Sequence, residues 1–264
     1  MRAMWTAASG MKAQQLNIDT ISNNLANVNT TGYKKQRLEF KDLLYETVRK
    51  TNLNNGQGTP VNLQIGHGVM PAATSRVFQN GNLERTENAT DFGLDGSGFF
   101  VVQSPSGEML YTRDGSFKFS INGDTRKLVT SEGYSVLSQN NQEIIIGANH
   151  KDFTVDEDGY ITVTNQNGEI ETLGRIKLSQ FINPEGLEAV GKNLFKVTPA
   201  SGEEIPLGGQ GRNTKIYQGF LETSNVQIVD EMIKMITAQR AYEINSKTIQ
   251  TADDMMQIAN NLRR

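Results

Sequence analysis

The chain has 264 residues, with 26 Lys and Arg against 29 Asp and Glu, a formal charge of −3 and 36% apolar residues. So balanced a chain carries no overall field to hold a phosphate backbone, which argues against nucleic-acid binding. It has no Cys and two His, so thiolate metal sites and Cys nucleophiles are excluded and His chemistry has little material.

At the N-terminus, Ala3–Met11 is interrupted by Thr6, Ser9 and Gly10, so no cleaved secretory h-region is expected. No stretch approaches the roughly 18 apolar residues that a membrane span needs. Every seventh residue from Met4 gives Met4, Met11, Ile18 and Leu25, and three further on lie Ala7, Gln14, Ile21 and Val28. That is an a/d seam on one helix face, with a stop expected in Asn27–Gly32. Lys34–Arg49 is charged and open to a helical reading. Asn52–Pro60 is rich in Asn and Gly, and Val61–Ile65 alternates like a strand. This segment reads either as a solvated linker or as an arm that orders against another chain.

From about Gly66 to Tyr217 the period changes to short β-type runs. Asn80-Gly81, Asp95-Gly96, Asp114-Gly115, Asn122-Gly123, Asp158-Gly159 and Asn167-Gly168 are hairpin-turn signals. Phe99–Val102, Phe117–Ile121, Tyr160–Thr164 and Arg175–Leu178 lie between them as strands. At the C-terminus the seven-residue row returns as Leu221, Ile228, Met235, Tyr242, Ile249 and Met256. Its companion row, Glu231, Ala238, Asn245, Ala252 and Ala259, is small or polar, which permits close approach of a partner helix, with Asn245 fixing register. The expected fold is α+β. Heptad-patterned terminal helices pack together in coiled-coil fashion (1–32 with 218–264), an extended β-like arm covers 33–68, and an all-β outer domain spans 69–217.

Chemical motifs are few. Asp156-Glu157-Asp158-Gly159 lacks the first and twelfth ligands of a calcium loop and reads as a turn. Gly93–Gly98 precedes a β run rather than a helix, so it is no phosphate loop, and Ser97 sits in no nucleophile elbow. His67 and His150 lie far apart in Gly/Asn-rich contexts, and the Met-rich C-terminal stretch is adaptable packing surface. No catalytic, cofactor or metal site is expected, and no small-molecule substrate. A cell-wall hydrolase would draw on the acidic group near Asp152, which reads as a turn instead.

Ser22–Lys34, with Asn23, Asn24, Asn27, Asn29, Thr30 and Gly32, resembles the N-terminal signature of the bacterial flagellar rod and hook proteins. Gly96–Phe100 and Tyr111–Phe117 resemble that family's β-domain motifs. Leu221–Val226 and Gln239–Lys247, with Gln239 and Arg240, resemble its C-terminal helix. Met235–Glu243 and the chain length place the likeness nearest the distal-rod members, with hook and proximal-rod subunits as the alternatives. The resemblance implies a stiff helical homopolymer in the basal body, outside the inner membrane, exported unfolded through the flagellar apparatus. It would adjoin proximal rod and hook proteins and any surrounding basal-body rings. The polymer interface is expected at Met4, Met11, Ile18, Ile21, Leu25, Val28, Ile228, Met235, Tyr242, Asn245, Ile249 and Met256. The Tyr45–Gly68 arm resembles a connector packing across neighbouring subunits.

Overall fold

Seven-residue periodicity at each end of the chain is realised as two long helices, α1 (Arg2–Ala26) and α2 (Ile228–Asn261). A computed structural model describes residues 2–49, 62–147, 150–165, 169–207 and 214–262. The Asn52–Pro60 stretch and the Asn167-Gly168 turn lie outside the described residues. α1 stops at Ala26, where the Asn-rich turn begins. α2 opens with Asp230 and Glu231 in its first turn, where negative charge complements the helix dipole.

The chain divides into two compact units. The helical unit comprises Met1–Ala26, Gln36–Arg76 and Gln227–Arg264, and the β unit comprises Asn27–Lys35 and Val77–Val226. These borders differ from the expected 1–32 with 218–264, 33–68 and 69–217. Eight residues of the signature motif (27–34), together with Lys35, fold with the β unit, and most of the arm folds with the helices.

In the helical unit, β1 (Gln36–Asp42), β2 (Tyr45–Arg49), β3 (Leu63–Gly66) and β4 (Val69–Arg76) form two antiparallel pairs, β1 with β4 and β2 with β3. The charged segment after Lys34 is therefore strand, not helix. Its partner β4 supplies the ladder, and pairing overrides a weak local preference. Register is anchored at the first rung by Asn24. Its Nδ2 donates to the Gln36 carbonyl and its Oδ1 accepts from the Gln36 N–H, both at 2.8 Å.

The β unit carries β5 (Leu83–Arg85), β6 (Phe92–Asp95), β7 (Phe99–Gln103), β8 (Met109–Thr112), β9 (Lys118–Asn122), β10 (Thr125–Val129), β11 (Ser135–Val136) and β12 (Ile145–Gly147). It continues with β13 (His150–Val155), β14 (Tyr160–Asn165), β15 (Ile170–Arg175), β16 (Leu178–Gln180), β17 (Glu188–Gly191), β18 (Leu194–Lys196), β19 (Ile205–Pro206), β20 (Lys215–Gln218) and β21 (Phe220–Glu222). The main sheet runs β12-β10-β11-β7-β8-β18-β17, while β13-β14-β15 make a smaller one. The continuous run Phe99–Val102 is buried on both faces. Phe100 and Val102 enter one core with Phe92, Phe117 and Leu128; Phe99 and Val101 enter a second with Phe181 and Phe195. Fully burying each such side chain contributes about 1.5–3 kcal/mol. β14 alternates instead, with Ile161 and Val163 inward and Tyr160 half exposed, as a strand with one wet face should.

Two of the expected turn dipeptides join hairpins. Asn122-Gly123 links β9 to β10 and Asp158-Gly159 links β13 to β14, with both glycines left-handed. Asn80-Gly81, Asp95-Gly96 and Asp114-Gly115 do not. Gly81 and Gly115 bring backbone close to other backbone, a Cβ on Gly81 lying 1.9 Å from the Thr223 carbonyl oxygen, and Gly96 takes a positive φ of 115°.

Candidate assembly interface

The two helices of the helical unit pack side by side. A Cβ on Gly10 would sit 2.9 Å from the Asn245 side chain, and Asn24 Nδ2 donates to Glu231 Oε2 at 3.2 Å. Gly10 to Asn24 and Asn245 to Glu231 are each fourteen residues in opposite senses, so the helices run antiparallel. On α1 the buried residues are Ala7, Ala13, Ile21 and Asn24. On α2 they are Glu231, Ala238 and Ala252, members of the small, polar row. Small side chains at the line of contact let two backbones approach, as Gly10 against Asn245 shows.

Glu231 is buried, yet it is not left bare. Asn24 reaches its Oε2, and Lys234 donates to its Oε1 at 2.7 Å from the next turn. A buried carboxylate needs such partners, because removing one exposes the full desolvation cost. Asn24 thereby ties three segments of the helical unit together: α1, the start of β1, and α2.

The expected interface residues fall into distinct groups. Ile21 is buried; Met4, Met11, Ile18, Leu25, Met235, Asn245, Ile249 and Met256 are half-buried beside the contact line. Ile228 (47%) and Tyr242 (39%) remain exposed. Val28 lies beyond the end of α1 and belongs to the β unit, since the helix stops two residues earlier. Gln239 and Arg240 are exposed, with Arg240 paired to Glu243 at 2.9 Å on the same helix. Asn23 and Asn29 are exposed as well, while Asn27 accepts a hydrogen bond from the Thr30 hydroxyl at 3.1 Å.

A second stripe on α2 escaped the heptad reading. Val229, Met232, Ile233 and Ile236 follow an i, i+3, i+4, i+7 spacing and are 50–68% exposed. Its signal was present in the sequence, but counting by sevens from Ile228 passes over it. α2 is thus apolar on two faces, one turned to α1 and one open in this chain. Trp5 on α1 is also open, 76% exposed. The β2–β3 pair carries exposed Tyr45, Val48 and Leu63, with exposed Leu44 just before it. An isolated two-stranded pair with apolar residues in water is marginal by itself.

In the β unit, residues 27–35 form a strap fixed at several points. Thr31 Oγ1 donates to Asp114 at 3.0 Å, and the Thr31 carbonyl accepts from Asn193 at 3.1 Å. The Gly32 N–H donates to the Glu222 carbonyl at 2.8 Å. Gly32 is left-handed (φ +66°), and a Cβ there would lie 2.7 Å from the Arg113 carbonyl carbon, so glycine is required twice over. The Lys35 N–H donates to Asn225 Oδ1 at 2.8 Å, and Asn225 in turn donates to the Val77 carbonyl.

Beneath the strap lies an ionic cluster. Lys34 Nζ is 2.6 Å from Glu222 Oε1 with both side chains fully buried, and Arg113 Nη1 is 3.5 Å from Glu222 Oε2. Burial pushes the Lys34 ammonium below its ordinary pKa, with Arg113 adding repulsion and Glu222 opposing. Burial likewise lowers Arg113, again opposed by Glu222. Arg113 also lies over the Phe99 ring, 5.3 Å from its centroid. A further cluster joins Tyr111, Lys177 and Ser179 on Glu204, at 2.7, 2.8 and 2.6 Å. The two histidines sit in different units, His67 3.9 Å from Glu46 and His150 3.7 Å from Glu171.

The β unit thus carries a polar strap over a buried ion cluster, and the helical unit carries an open apolar stripe on α2. Residues 4–34 match the family model described as flagella basal body rod protein, 93–163 the flagellar hook protein FlgE/F/G D1 domain, and 217–262 the flagellar basal body rod FlgEFG protein C-terminal model. The flagellar basal-body rod protein FlgG of Borreliella burgdorferi is 50% identical, covering 100% of this chain and 99% of that one. FlgG of Caulobacter vibrioides is 41% identical and FlgG of Bacillus subtilis 34%, each over 100% of both chains. The chain belongs to the flagellar basal-body rod protein family.

Proposed function

We propose that this chain is the distal-rod subunit of a bacterial flagellar basal body, polymerising into a stiff helical tube that carries motor torque to the hook. Its relatives are rod proteins by name, and the chain is a structural subunit rather than an enzyme. The observation that carries the assembly reading is the double apolar character of α2. One face meets α1, and the other, Val229, Met232, Ile233 and Ile236, has the spacing of a helix-packing stripe.

In the tube, the antiparallel pair meets as a heptad seam, with Met4, Met11, Ile18 and Leu25 flanking Met235, Ile249 and Met256, and Asn245 setting register. Neighbouring copies cover Ile228, Tyr242 and the outer stripe, and the β2–β3 arm packs across adjacent subunits. Torque then spreads over several contacts per subunit. The rod stands outside the inner membrane, between proximal rod and hook and within whatever rings surround it, reached by unfolded export through the flagellar apparatus.

Electron microscopy of basal bodies from a strain lacking the gene tests this. A shortened rod without a hook is expected; a full-length rod without a hook would reassign the chain to the hook, and intact basal bodies would refute a rod role.

A further inference from the structure

The buried ionic cluster of the β unit contains one cation more than it needs. Glu222 is its only carboxylate, with Lys34 and Arg113 as partners. Suppose Lys34 is removed from this arrangement. Glu222 Oε1 still accepts from the Gly81 N–H at 2.9 Å, and Oε2 keeps Arg113. The Gln79 carbonyl, which accepts from Lys34 Nζ at 2.7 Å, still accepts from Asn225 Nδ2 at 3.2 Å. Arg113 Nη2 keeps the Gly96 carbonyl at 2.9 Å. Every partner of Lys34 is served without it, and the charges of the remaining pair cancel.

Lys34 therefore adds a net positive charge to a dry site that is balanced in its absence. The desolvation of a buried ion commonly exceeds what its pairing returns, and apolar replacement is then neutral or stabilising. The penalty falls on one segment, because Lys34 is the only member of the cluster on the strap 27–35. The two apolar cores of the β unit contain no strap residue.

We infer that residues 27–35 are a reversible latch, the last and weakest part of the β unit to close, and that Lys34 is the residue that keeps it reversible. Covalent continuity gives the latch its use. The strap runs from the last residue of α1, Ala26, to the first of β1, Gln36, so its two ends belong to the helical unit. Asn24 already clamps Gln36 to α1 within the chain; when neighbours in a polymer hold that clamp shut, the ends of the strap stay fixed and its closure costs less entropy. The latch is then open part of the time in a free subunit and closed in an assembled one. This last step rests on the polymer reading; the reversibility of the strap does not.

Hydrogen exchange on the full-length, unassembled chain tests it. The amides of Gly32, bonded to Glu222, and Lys35, bonded to Asn225, are expected to exchange at least tenfold faster than those of Val101 and Val102. Lys34→Met should slow strap exchange about tenfold and leave the sheet unchanged. Glu222→Gln should speed strap exchange, since two cations then share no carboxylate. Strap protection equal to the sheet in the wild-type chain, or faster strap exchange in Lys34→Met, overturns the latch. Exchange read in polymerised chain separates the two claims: a strap that is open when free and still open when assembled refutes the coupling to assembly alone.

Discussion

The β unit finishes its own core, and the helical unit does not. Phe92, Phe100, Val101, Val102 and Leu128 are each fully enclosed by other parts of the β unit. In the helical unit the centre of the helix pair is Ala7, Ala13, Ala238 and Ala252, while Val229, Ile233, Ile236, Ile244 and Ile258 stay more than half exposed. Among the described residues of the helical unit, Ile21 is the one large apolar side chain that is buried, and the other buried positions are small or polar, unlike the core of a self-sufficient bundle. Alanines at the contact bring two helices close but bury little area, so the pair gains less from its own packing than the β unit does. The β unit closes over its own core, and the helical unit leaves its larger apolar side chains open.

The largest effect should come from charging the open stripe. Met232→Glu with Ile236→Glu is expected to abolish polymer formation by the purified chain, seen by electron microscopy, while the thermal transition of the β unit stays in place. Tubes of normal length from this variant would place assembly elsewhere. A moderate effect is expected at the helix contact. Gly10→Ala brings a methyl to 2.9 Å from the Asn245 amide, and that strain, at most about 1–3 kcal/mol, is set against the roughly 1 kcal/mol that Ala gains over Gly inside a helix. Asn245→Ala in the same chain should relieve most of that strain, measured as a double-mutant cycle in urea. Without coupling, the helices do not meet there.

The smallest effect concerns acid. Although burial opposes it, hydrogen bonds from Lys177, Ser179 and Tyr111 hold the Glu204 carboxyl below its usual pKa near 4.5. A depressed carboxylate contributes stability that is present above the unfolded pKa and is lost as pH falls through the folded one. The β unit should therefore weaken below about pH 4.5, and Glu204→Gln should flatten that decline in a series of thermal melts. Helix-unit transitions, which do not contain Glu204, should be indifferent to the substitution.

Much of this contrast could be read in the amino-acid order. Seven-residue rows at both ends and short β runs between them gave the α-β-α layout, because periodicity reports which face each element must bury. The row that is buried on α2 is the small, polar one rather than its apolar companion. Apolarity predicts burial, yet where two helices touch most closely the space admits only Ala, Gly and a paired Glu231. Pairing of β1 with β4 was hidden because charged residues such as Arg37 and Glu39 dilute the alternation, and the partner lies some thirty residues away. Asp114-Gly115 looked like a hairpin turn for a different reason: Gly also serves where backbones converge, and a Cβ on Gly115 would fall 1.8 Å from the Phe92 carbonyl oxygen. The Lys34–Glu222–Arg113 cluster joins residues 188 positions apart at its extremes. Nothing local announces it, though all three residues fall in or beside the motifs that carried the family resemblance.

The most direct test of an unfinished helical unit compares backbone exchange across α2 in free and polymerised full-length chain. Amides from Ile228 to Asn261 should exchange far faster than those of β7 in the free subunit and reach comparable protection in the tube. Protection of α2 that is already equal to that of β7 before assembly, and unchanged after it, would contradict the account.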